Sequence, residues 1–76
     1  MKLTKRQFQF IINCDVEQMI EFLMKEHGKS MVEAFDIVYN STIYQKLTNE
    51  KTGLYLQSPE YIYDYLQEEM LSNKQQ

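Results

Sequence analysis

An all-α fold is what this chain predicts: a small four-helix domain with a long first helix, two short middle helices and a tyrosine-rich last helix. Three observations carry that expectation. Apolar residues recur every three or four positions from Thr4 to His27, the period of a helix with one buried stripe. Ser30-Met31-Val32-Glu33 and Ser58-Pro59-Glu60 are helix starts of two recognised kinds. With 43% hydrophobic residues, 25% charged, two Gly and one Pro in 76, the chain has the composition of one that folds, in a single domain over 1–76.

The first helix is read from Phe8, Ile11, Ile12, Val16, Met19, Ile20, Leu23 and Met24 on one side, with Lys5, Arg6, Gln9, Glu17, Glu21 and Lys25 between them. Gly28 follows His27 where a helix commonly ends in a left-handed residue. A competing reading stands beside it. Gln7-Phe8-Gln9-Phe10 alternates like a strand, and Asp15 could cap a shorter helix with Gln18 as its capping-box partner. The continuous helix is preferred, because a lone strand would lack a pairing partner.

Ser30 and Glu33 form the capping box that opens the second helix. Val32, Phe35, Val38 and Tyr39 make its apolar side, with Ala34 and Ile37 nearby, and it ends around Asn40, a residue that tolerates the left-handed region. Ser41 then caps a third helix from Thr42 to about Asn49, carrying Ile43, Tyr44 and Leu47 and stopped by Thr52-Gly53. Leu54-Tyr55-Leu56 reads as an extended apolar insert tucked under the helices. The last helix starts at Pro59 behind its Ser58 cap. Ile62, Leu66 and Met70 mark one stripe, Tyr61 and Tyr65 a second, and 71–76 form a frayed tail.

Eleven acidic and eight basic residues leave a net charge of −3, which disfavours nucleic acid as a partner, since phosphate neutralisation needs clustered Lys and Arg. Apolar runs are as short as Phe10-Ile11-Ile12, against the roughly 20 residues of a membrane span. The basic start from Met1 to Arg6 meets Asn13 and Asp15 before an apolar core of signal-peptide length. With the single Cys14 free, the chain is expected in the cytoplasm.

One Cys and one His exclude a disulfide framework and a Cys/His zinc site within the chain. The carboxylates lack the spacing of a calcium loop, and Asn49-Glu50-Lys51-Thr52-Gly53 lacks the glycine series of a phosphate loop. No metal, cofactor or small-molecule substrate is therefore expected. His27 is read as a helix-end residue and Cys14 as a small hydrophobe, neither with a positioned catalytic partner.

Six Tyr and no Trp, four of those Tyr between 55 and 65, are the unusual part of the composition. Large side chains surround most of the last helix, more than one buried face absorbs. Tyr55, Tyr61, Ile62, Tyr65 and Leu66 are the interface candidates, facing a protein partner or a second copy of the chain. The alternative is a DNA-binding regulator using 31–49 as a helix-turn-helix, in which Thr42, Gln45, Lys46 and Asn49 would read bases.

Asp36-Ile37-Val38-Tyr39-Asn40-Ser41, Tyr44-Gln45-Lys46-Leu47, Glu50-Lys51-Thr52-Gly53-Leu54-Tyr55 and Ser58-Pro59-Glu60-Tyr61-Ile62-Tyr63 together resemble a group of small bacterial helical proteins whose domain has no assigned function. The resemblance covers about half of the chain and leaves Thr4 to His27 unaddressed. Such proteins are associated with operons that also encode an ADP-ribosyltransferase-like protein. The resemblance implies an antitoxin-like or regulatory partner role, and it brings no catalytic residues.

Overall fold

The computed structural model describes residues 2–74, and among them only helices and turns occur. The order is α1 (Lys5–His27), α2 (Met31–Tyr39), α3 (Thr42–Leu47), two 3-10 turns (Glu50–Thr52 and Leu54–Leu56) and α4 (Pro59–Lys74). The expected all-α architecture of one long, two short and one tyrosine-rich helix is the observed one.

α1 is uninterrupted through Asn13. Its start is fixed by Thr4, whose hydroxyl accepts the Gln7 amide at 3.1 Å while the Thr4 amide donates to Gln7 Oε1 at 2.9 Å. That reciprocal pair satisfies two orphan amides and draws Gln7–Phe10 into the helix, so the strand reading falls. Asp15 is a buried mid-helix residue, not a cap. Gly28 ends α1 at φ 63°, with its amide donating to the Leu23 carbonyl; glycine takes this left-handed conformation without a Cβ penalty.

Ser30 and Glu33 close their capping box as expected, at 2.9 and 3.1 Å. The α2 stripe differs from expectation. Ala34 and Val38 are buried, whereas Val32, Phe35 and Tyr39 are exposed, because a nine-residue helix laid along α1 can turn only one narrow side inward. Asn40 does not take the left-handed region (φ −98°); its side-chain amide donates to the Asp36 carbonyl and carboxylate, each at 2.9 Å.

Ser41 caps α3 through the Tyr44 amide at 3.0 Å. α3 stops at Leu47, before Asn49, because the Thr48 hydroxyl and the following turn take its last carbonyls. Leu54–Leu56 is a 3-10 turn, not an extended insert, and Leu56 points to solvent. The Leu56 amide donates to the Gly53 carbonyl and the Gln57 amide to the Leu54 carbonyl, each at 3.0 Å, and these bonds curl the segment.

The core joins Ile12, Val16, Met19, Ile20 and Leu23 of α1 to Ala34, Val38, Ile43 and Leu47, and to Ile62, Tyr63 and Leu66 of α4. Each large buried side chain contributes roughly 1.5–3 kcal/mol of transfer free energy. α4 runs on to Lys74, so 71–74 of the expected frayed tail are helical, and 75–76 lie outside the described residues.

Candidate interaction surface

The Ser58 hydroxyl accepts the Tyr61 amide at 3.2 Å and so sets the rotation of α4. Ile62 and Leu66 then point inward and are completely enclosed. They are core residues and present nothing to a partner, which corrects their place among the interface candidates. A helix turns about 100° per residue, so Tyr61 and Tyr65 fall on the flank beside α3, 44% and 43% exposed.

Their rings meet edge to face with centroids 5.2 Å apart, and the two hydroxyls are 3.3 Å apart. The Tyr61 hydroxyl bond holds the Tyr65 phenol above its ordinary pKa. Together the rings wall an open cleft of about 270 Å³ between α3 and α4, closed on its other sides by Ile43, Lys46, Gly53 and Leu54. Apolar walls with a few convergent polar groups suit a partner side chain.

Tyr55 is not brought into that cleft. It is half-buried, its ring standing edge-on to Phe8 at 5.0 Å and 83°, and so ties the second turn to α1. Tyr63 is also internal: it packs on Phe22 at 4.8 Å and donates to Glu26 Oε1 at 3.3 Å. Burial, with the Glu26 charge beside it, pushes the Tyr63 phenol up to about 12.

A second aromatic surface escaped the sequence reading. Phe35 and Tyr39 of α2 stack nearly parallel, centroids 5.6 Å apart, and Tyr39 meets Tyr44 of α3 edge-on at 4.8 Å. The available signal was the composition of α2, which is apolar at every position but Glu33 and Asp36. A short helix apolar all round cannot bury its whole circumference unless it is surrounded.

The residues weighed for catalysis do not converge. His27 and Cys14 sit on the same helix about 20 Å apart at 1.5 Å per residue. His27 Nε2 pairs with the Gln67 side-chain amide at 3.0 Å, and Cys14 is a free, exposed thiol. Among the described residues no three of His, Cys, Asp and Glu come together as a metal would require, and no helix is long and apolar enough to cross a membrane. Comparisons with protein-family models, with curated proteins and with solved structures find no match to this chain.

Proposed function

We propose that the protein is a small non-enzymatic interaction module that docks another polypeptide. The observation supporting this reading is that aromatic rings are held in fixed pairs at the surface while a separate set of residues fills the core. Tyr61, Tyr65, Phe35 and Tyr39 are each two-fifths exposed or more. Rings of this kind, immobilised yet wet on one side, anchor protein interfaces at small entropic cost. An antitoxin-like or regulatory role in a bacterial operon fits the same surfaces, and the free Cys14 thiol fits a reducing cytoplasm.

The helix-turn-helix reading of 31–49 is the weaker one. The first amides of α3 are occupied by the carboxylate of Glu69, at 2.8 Å from Thr42 and 3.3 Å from Ile43. A recognition helix offers this end to the bases; here it carries a negative charge. Glu33 and Asp36 on α2 add to the repulsion of phosphate.

The test is sedimentation over a concentration series together with co-purification from expressing cells, using the wild-type chain and a Tyr61→Ser/Tyr65→Ser/Phe35→Ser variant of matched helicity. A partner or dimer held by the wild type and released by the variant is the expected result. An inert monomer in both arms would end the proposal.

A further inference from the structure

The outer face of α2 has a composition that selects its occupant. Val32 is 78% exposed, and Phe35 and Tyr39 stay at the surface, because Ala34 and Val38 already supply what α2 gives the core. The rings are immobilised by stacking on each other and by the contact of Tyr39 with Tyr44. A partner that covers them freezes few additional rotamers.

Charge then decides between occupants. Glu33 and Asp36 line the same shallow hollow as Val32, Phe35 and Tyr39, and α2 carries no Lys or Arg. Both carboxylates are oriented: Glu33 accepts the Ser30 amide and Asp36 accepts from the Asn40 side chain. A second copy seated through the same face would bring two more carboxylates and no Lys or Arg of α2 across the two-fold axis, in a chain of net charge −3, and like charges across an interface are unfavourable. An anionic lipid surface meets the same repulsion. A segment with Arg or Lys set among apolar residues suits every group present. Its guanidinium can lie flat on an aromatic ring and donate to a neighbouring carboxylate, while its apolar side chains cover Val32.

We propose that this face of α2 docks a basic, apolar segment of another protein, with Phe35 and Tyr39 as its anchors and Glu33 and Asp36 as its charge partners. The proposal rests on the interaction reading above and goes further by naming the face and the chemistry of what covers it.

The experiment is selection of a random linear peptide library, displayed on phage, against the full-length chain. Selected peptides are expected to combine Lys or Arg with apolar residues. Their synthetic versions should bind at least about tenfold more weakly to Phe35→Ser/Tyr39→Ser and to Asp36→Lys, with the helicity and melting temperature of each variant checked. Selection of neutral or acidic peptides would overturn the proposal, as would equal binding to both variants, or a wild-type dimer that Phe35→Ser dissolves. Peptides released only by Tyr61→Ser would overturn the assignment of the face and leave the interaction reading standing. Failure to select any peptide would overturn both.

Discussion

Asp15 is the residue whose chemistry is least at ease in this fold. It is 5% exposed, on the inward side of α1, with its Oδ2 lacking a hydrogen-bond partner. Burial pushes its carboxyl from 3.8 up to about 6. Below the unfolded value both states are protonated; between the two values the folded protein binds more protons, so stability falls as pH rises through that window. The loss is complete above the folded value and is on the order of 3 kcal/mol. Asp15→Asn should therefore melt higher than the wild type at pH 7 and show little of the decline between pH 4 and pH 7. Thermal melts followed by circular dichroism across that range check this, and an unchanged pH slope in the variant would contradict it. Neighbouring positions on α4 give a second contrast. Ile62→Ala should cost roughly 2–4 kcal/mol in urea unfolding because it opens a cavity, while Tyr61→Ala, on the flank, should cost about 1 kcal/mol or less. Spacing alone put Ile62 and Tyr61 on different stripes of α4, but it could not say which stripe the rest of the fold would cover. The burial of Asp15 was equally illegible: the preferred continuous helix placed it within α1, but spacing gave no reason for a carboxylate to lie on the inward side.

At the scale of elements, α3 depends on a residue far away in sequence. Its six residues are too few to be stable by propensity, and Glu69 of α4 closes its first amides from the opposite wall. A carboxylate bond to backbone amides is charge-assisted and favoured by the helix dipole. Glu69→Ala should destabilise the protein by about 1–3 kcal/mol, and Glu69→Gln by less, since its one carbonyl oxygen still accepts an amide while the charge and the second acceptor are lost. Hydrogen exchange at the amides of Thr42 and Ile43 would show the loss locally; protection unchanged in Glu69→Ala would speak against the bond. Local signals were legible at the Ser30, Ser41 and Ser58 caps and the Gly28 stop, which stand where the sequence put them; Gly53 ends the Glu50–Thr52 turn and not α3, and the equally local Thr4–Gln7 box went unread. The role of Glu69 was not legible, because it looked like one of two adjacent solubilising acids and its partner lies 27 residues back. The α2 face was misjudged for a related reason. Its apolar residues exceed what one helix side can bury, and which of them stay outside depends on how α2 lies against α1.

The whole molecule is elongated, 40 × 23 × 18 Å, with a Cα radius of gyration of 12.5 Å. A compact chain of this length would have about 11 Å; the excess comes from α1, whose 23 residues reach about 34 Å at 1.5 Å per residue. If like charge keeps the α2 faces of two copies apart, small-angle scattering of the pure protein should return a monomer with a radius of gyration close to that value. A dimer at micromolar concentration that Phe35→Ser dissolves would count against the occupant assigned to that face. Little of the stability should come from ion pairs. Among the described residues the one between Lys25 and Glu21 is exposed on both sides, the kind that contributes little.

The lone thiol of Cys14 has a practical bearing on all of these measurements. It stands in solvent on α1 and is the single sulfhydryl of the chain, so air oxidation can link two molecules covalently and counterfeit an assembly. Kept reduced, the same sulfur is a ready point for attaching one fluorophore, through which the arrival of a ligand could be followed in the unmutated protein.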